Sequence, residues 1–280
     1  MVLDETAGTV RRTHRLRNAD PLLVLAVLVL AVIAVFVVAP GAVSPHDPLS
    51  AVGQSLQPPS GRFLFGTDYL GRDIFSRVVY GTRTTLLGSL VAVTCGLVVG
   101  SVLGLVAAYF GGVVDVVVGR LVDVLLSIPG LLLSMVIVVA LGFGTLNAAV
   151  AVGASSVALF ARLMRSEVLT VRELGFVESS RHIGASTTRI LLRHILPNSY
   201  SSVLSLVVLQ FGASILWISS LSFLGYGAPP PQPEWGLLIA EGRDYIVSSP
   251  WLVVLPGAVI VAMVLSITKV SRTVRRRYES

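Results

Sequence analysis

Residues 124–161 read VLLSIPGLLLSMVIVVALGFGTLNAAVAVGASSVALFA, a run without a single charged side chain. A hydrocarbon core about 30 Å thick needs roughly 20 apolar residues per helix. The run is nearly long enough for two such helices, and GFGTLN at 142–147 supplies the turn between them, because its glycines and Asn147 break helices. Further uncharged runs lie at 21–39, 84–114, 195–233 and 245–268. The first and last each hold one span, and 84–114 holds one long helix. The run 195–233 holds a span over 199–222, followed by the proline-rich exit GYGAPPPQPEWG. Six spans are predicted. The chain is 54% hydrophobic and 13% charged, with a mean hydropathy of +0.84. Soluble domains carry about 25% charged residues, so the solvent is a bilayer. Spans apolar on all sides favour helices over a barrel, whose strands alternate apolar and polar residues. The predicted fold class is an all-α polytopic membrane protein with six transmembrane helices.

The first run competes with a cleaved signal peptide. It exceeds the roughly 7–15 apolar residues of a signal core and no small-x-small cleavage site follows, so a retained anchor is predicted over 20–40. The single Cys95 permits no intrachain disulfide. The net charge of +6 is distributed like an orientation signal, not a nucleic-acid patch. With the N-terminus in the cytoplasm, six spans place Arg11, Arg12, Arg15, Arg17, Arg120, Arg162, Arg165, Arg172, Arg181, Arg189 and Arg193 inside. Lys269, Arg272, Arg275, Arg276 and Arg277 join them. Only Arg62, Arg72, Arg77, Arg83 and Arg243 fall outside. The predicted organisation is a cytoplasmic basic tail at 1–19, the anchor at 20–40, an external segment at 41–83, a five-helix core at 84–268 and a cytoplasmic basic tail at 269–280. The core includes a cytoplasmic loop at 165–198 and an external loop at 223–250.

Within the second span, Thr84, Gly88, Ala92, Gly96, Gly100, Gly104 and Ala108 recur at every fourth position. Small residues at this spacing trace an inclined ridge that lets another helix approach closely. The partner is either a helix of this chain or one of a second membrane subunit. Asp115 and Asp123, which flank Arg120, read as ion-paired near a helix end. Pro129 and Gly130 predict a kink in the third span. Gln210, Ser214 and Trp217 share a face of the fifth span, and line a solvent path or make ordinary interhelical hydrogen bonds. Asp68 and Asp73 in GTDYLGRD suit capping and turn roles better than a metal site.

Most catalytic chemistry is excluded. The one lysine, Lys269, precedes Val270, so no Walker loop exists. The four histidines form no HExxH, CxxC is impossible, and no serine sits in GxSxG. No carboxylate lies near the middle of a span, where proton or sodium coupling often places one. A motor, where there is one, must be a partner.

Residues 178–198, ESSRHIGASTTRILLRHILPN, interrupt the apolar chain. Glu178–Ile183 can make one or two helical turns, ended by Gly184 in the left-handed conformation. Ser186 suits the N-cap of a second helix over Thr187–Leu196. That helix turns Ile190, Leu191 and Ile195 toward apolar surroundings and Arg189 and Arg193 toward water, and Pro197 breaks it before the fifth span. Such a hairpin can transmit a push into the bundle.

The pattern Glu178, Gly184, Ile195, Leu196, Pro197 resembles the cytoplasmic loop of permease subunits of bacterial ATP-binding-cassette importers. LFGTDYLGRDIFSRVVYGTRTTLL at 64–87 is similar to the external segment of the dipeptide, oligopeptide and nickel permeases. SFLGYGAPPPQPEWGLLIAEGRDYI at 222–246, with PWLVVLPG at 250–257, is similar to their last external loop and final span. The family usually has two alanines after the glutamate, where this chain has Ser179 and Ser180. The resemblance implies a type I importer permease fold in a bacterial inner membrane, with both termini cytoplasmic. It implies four kinds of partner besides lipid: a second, different permease subunit, cytoplasmic ATPases, an extracytoplasmic binding protein and the peptide that protein delivers. ATP and Mg would be bound by the ATPases, leaving this chain without cofactor or enzymatic activity. The ATPase-coupling residues would be Glu178, Ser179, Ser180, Arg181, Gly184, Ile195, Leu196 and Pro197. The rival readings are a self-sufficient channel or ion-coupled carrier and a membrane scaffold. Nickel and glutathione are the alternative substrates.

Overall fold

The computed structural model describes residues 20–175, 186–190, 193 and 195–278. Asp20 opens the first helix: its carboxylate accepts from the Leu22 N–H at 3.1 Å, and Pro21 stands where a missing N–H loses nothing. Helix α1 (Pro21–Val38) and the short α2 (Pro40–Val43) lead into an irregular segment that ends at Asp73. Then follow α3 (Ile74–Phe110), α4 (Gly112–Ser127), α5 (Gly130–Leu141), α6 (Thr145–Arg172) and α7 (Thr187–Ile190). The chain continues with α8 (Leu196–Phe223), α9 (Trp235–Gly242), a 3-10 turn (Arg243–Tyr245) and α10 (Trp251–Tyr278). Among the described residues the extended structure amounts to isolated bridges, Ala51 with Arg72 and Thr67 with Asp73. The all-α class is the one observed.

Five helices are long and apolar enough to cross a membrane, and α4 with α5 makes a sixth span if the pair is counted as one. That pair departs from expectation. Instead of a kink at Pro129, the axis turns by 97°. Ile128 (φ −90°, ψ 129°) and Pro129 (φ −53°, ψ 123°) are both extended, as the residue before a proline is pushed to be. The second span also starts earlier than the uncharged run suggests. Asp73 caps α3, accepting from the Ser76 N–H at 3.2 Å, so residues 74–83 form the first turns of that helix.

The ridge of small residues on α3 packs against α6 of the same chain. A Cβ at Gly100 would stand 2.4 Å from the Val157 carbonyl oxygen, and one at Gly104 2.3 Å from that of Ala161. Gly96 meets Ser156 and the Gly153 carbonyl of α6, while Gly88 faces only side chains, Thr145 of α6 and Ile218 of α8, at 3.3 and 3.5 Å. With backbones this close, dispersion contacts hold the helices together where lipid offers no hydrophobic gain.

The bundle has two distinct ends. Lys269 Nζ lies 2.6 Å from Asp20 Oδ2, so α1 begins beside the C-terminal part of α10, on what is here the terminal face. The Lys269 ammonium holds the Asp20 carboxyl below its ordinary value. At the opposite end Trp235 is wholly buried and donates from Nε1 to the Val78 carbonyl at 3.1 Å, seating α9 on the first turns of α3. Ile33, Phe36, Ile74, Val78, Trp235 and Met263 pack together there. Nearer the terminal face, Phe160, Met164, Val168, Ile190, Ile195 and Val203 form a second cluster.

Candidate functional site

On the α9 face, the GTDYLGRD stretch folds onto itself before it reaches α3. Asp68 Oδ1 accepts from the N–H groups of Leu70 (2.8 Å) and Arg72 (2.9 Å), and its Oδ2 accepts from Arg72 Nε at 2.6 Å. Asp73 caps α3 and lies 3.3 Å from His46 Nδ1. Both aspartates thus do turn and capping work. Arg72 and Arg77 then converge on one oxygen of α9: Arg77 Nη2 donates to Glu241 Oε2 at 2.9 Å, and Arg72 Nη2 stands 3.4 Å from it. Asp68 and Glu241 balance the two guanidiniums in charge, and all four side chains are largely shielded from solvent.

Glu234 anchors the same helix. Its Oε1 accepts from the Gly236 N–H (3.0 Å) and the Thr85 hydroxyl (3.1 Å), and Oε2 accepts from the Leu237 N–H (3.0 Å). These donors satisfy N–H groups that a helix start otherwise leaves unpaired. Burial pushes the carboxyl above its ordinary value, while the Gly236, Leu237 and Thr85 donors pull it back. Neither Arg77, Glu241 nor Glu234 stood out in the sequence. The available signal was charge kept beside long apolar runs, but the pairing spans more than half the chain and leaves no local pattern.

On the terminal face, α7 and the start of α8 close over the ends of α3 and α6. Ile190 and Ile195 are buried, while Arg189 and Arg193 are exposed. Pro197 occupies the first turn of α8, where its fixed φ suits the position. Leu196 is half-buried beside it. Glu178, Ser179, Ser180, Arg181 and Gly184 lie outside the described residues. Nearby, Asp115 and Asp123 pair with α6 instead of with Arg120: Arg165 grips Asp115 with two hydrogen bonds and Arg162 reaches Asp123 at 2.7 Å. These pairs border a cavity of about 330 Å³ between α4 and α6.

The three residues of the fifth span part company. Ser214 is buried, donating to the Phe211 carbonyl at 2.9 Å and standing 3.4 Å from that of Ser89 on α3. Trp217 lies against Gly130, where a Cβ would come within 2.0 Å of its ring. Gln210 is half-buried. Among the described residues no group of three or more His, Cys, Asp or Glu could hold a metal ion.

A helical bundle with one broken span, clamped by ion pairs at both ends, defines a multi-pass membrane protein. The family described as "Binding-protein-dependent transport system inner membrane component" matches residues 100–280. The dipeptide transport system permease protein DppC of Alkalihalophilus pseudofirmus is 38% identical over 79% of this chain and 72% of its own length. The glutathione transport system permease protein GsiD is 38% identical in Pectobacterium atrosepticum and 42% in Escherichia coli O1:K1, each over 74% of this chain and 69% of the relative. Among solved structures, the inward-facing MetNI methionine ABC transporter superposes with a TM-score of 0.60 at 19% identity, over 72% of this chain and 95% of the matched one. An amino acid ABC transporter gives 0.58 at 17%, over 73% of this chain and 95% of the matched one. The fold is that of type I ABC importer permeases. The chain belongs to the family of inner-membrane permease components of binding-protein-dependent transport systems.

Proposed function

We propose that this chain forms half of the translocation pathway of an ATP-driven importer of short peptides. The observation that carries the reading is its likeness, over most of its length, to permeases named for dipeptide and glutathione transport. Glutathione is itself a tripeptide, so the two names share one substrate class. A second, different permease supplies the other half of the pathway. The terminal face is cytoplasmic and receives the ATPases at the 178–198 hairpin, which the excess of arginines on that side supports. The Asp20–Lys269 pair supports placing both termini there. The α9 face is extracytoplasmic and meets the binding protein. ATP and Mg stay with the ATPases, whose closure pulls the hairpin and turns the pathway outward. Hydrolysis resets it inward.

Reconstitution tests this. Liposomes holding this chain, its copurifying permease and the ATPases should take up a labelled dipeptide only with ATP and the binding protein. Equal uptake by this chain alone would overturn the reading in favour of a carrier or channel.

A further inference from the structure

We infer that the cavity between α3, α4 and α6 receives the headgroup of an anionic phospholipid of the cytoplasmic leaflet. The inference goes beyond the transport reading and takes from it only the orientation of the terminal face. The cavity measures about 330 Å³, within the range of small-molecule pockets. Arg120 of α4 and Arg162 and Arg165 of α6 line it, together with Asp115 and Asp123. Two of the arginines are engaged: Arg165 holds Asp115 at 2.5 and 2.6 Å, and Arg162 holds Asp123 at 2.7 Å. Among the described residues Arg120 has no ion pair or hydrogen-bonded partner. The lining therefore carries one cationic charge beyond its internal pairs, which matches a single phosphodiester.

The depth is that of a headgroup. Phe143, in the turn before α6, packs its ring against Tyr226 just past the end of α8, so α6 starts at the α9 end of the bundle. Arg162 and Arg165 lie roughly 26 and 30 Å along α6, and a hydrocarbon core is about 30 Å thick. Their guanidiniums thus stand where the core ends on the terminal face. Val118, Val122 and Ala161 add an apolar wall for the first carbons of an acyl chain. Gly119, also in the lining, has nothing within 4 Å of an added Cβ, so α4 brings no bulk to that side. A second membrane subunit obeys the same orientation rule and brings Lys and Arg to this depth, not an excess of carboxylates. The anions of that layer are phospholipid headgroups, and basic pockets between spans on the cytoplasmic side bind them.

The test is native mass spectrometry of the complete transporter, delipidated in detergent and titrated with phosphatidylglycerol or phosphatidylcholine. One phosphatidylglycerol should bind about tenfold more tightly than phosphatidylcholine, as one hydrogen bond to a charged group provides. Arg120→Ala should lose that preference, and so should Gly119→Leu, which fills the cavity without changing its charge. Arg62→Ala, in the segment before α3, should keep it. Equal binding of the two lipids, or the preference unchanged in Arg120→Ala and Gly119→Leu complexes that retain the second permease, would overturn the inference. Displacement of the lipid by glycerol 3-phosphate at equal concentration would also overturn it, showing a site for a soluble phosphate. The unmodified complex gives a check that needs no variant: phosphatidylglycerol with a photoreactive headgroup should attach to α4 or α6 at the cavity, and attachment only elsewhere would defeat the assignment. Labelled-dipeptide uptake by the same complex bears on the transport reading alone.

Discussion

Arg77 Nη2 donates to Glu241 Oε2 at 2.9 Å, joining residues 164 positions apart. The contact ties the first turns of α3 to the helix that covers the same end of the bundle. Arg77 is wholly buried, with Asp68 3.5 Å from its Nη1. Removing one member of a buried, balanced cluster leaves an uncompensated charge, at about 3–5 kcal/mol. Arg77→Ala should therefore unfold at markedly lower temperature in detergent. In a double-mutant cycle with Glu241→Ala, the second substitution should add much less than it does alone. Additive effects would mean that the pair does not couple the two segments.

Glu234 offers a second test, because each of its oxygens has a defined task. In Glu234→Gln the amide can face the Thr85 hydroxyl and the remaining oxygen can serve Leu237. The Gly236 N–H then loses its acceptor, at about 1–3 kcal/mol. The pH dependence follows from the direction of the shift. A carboxyl raised above its ordinary value of 4.5 binds its proton more tightly in the folded state. Its contribution to stability thus grows as pH falls toward 4.5 and is lost as pH rises through the folded value. Protonated Oε1 can still donate to Thr85. The wild-type advantage in thermal stability over Glu234→Gln should widen from about pH 7 to about pH 5. A constant gap would mean the carboxyl does not titrate in that window.

The spans were legible because the requirement for about 20 apolar residues is local. The small ridge on α3 and the split of Ile190 and Ile195 from Arg189 and Arg193 were legible for the same reason: helical periodicity alone separates the faces. What escaped depends on contacts between distant segments. Asp115 and Asp123 sit closer in sequence to Arg120 than to Arg165 and Arg162, yet the latter pairs form because α4 lies across α6. Pro129 announces a bend, but its size follows from Ile128 leaving the helical region as well and from the Trp217 ring seated against Gly130. The start of α3 depended on capping by Asp73, not on where charge stops.

The α3–α6 seam yields a contrast within one chain. At Gly100 a Cβ would stand 2.4 Å from a backbone oxygen and 2.6 Å from the Phe160 Cβ, neither of which can yield without parting the helices. Gly100→Val should exceed the usual overpacking penalty of about 1–3 kcal/mol and deplete the protein from the membrane. At Gly119 on α4 nothing lies within 4 Å of an added Cβ. Gly119→Ala should be neutral, or stabilising by up to about 1 kcal/mol through helix propensity. Membrane accumulation of the two variants measures both at once, and equal accumulation would contradict the close seam.

Coupling is tested where the hairpin meets the core. Ile195 is wholly buried and packs in one cluster with Phe160, Met164 and Val168 of α6, which makes it the place to test the proposed coupling. Ile195→Ala should remove about 2–5 kcal/mol of that packing. In the reconstituted transporter, ATP hydrolysis should persist while peptide uptake falls, so that more ATP is consumed per peptide moved. Gly184→Val acts on the hairpin itself. The sequence places a left-handed residue there, and a β-branched side chain resists positive φ. The same uncoupling is expected, with assembly checked by copurification of the ATPases. If both variants assemble and take up peptide at the wild-type rate per ATP, the hairpin is not the handle through which hydrolysis moves the bundle.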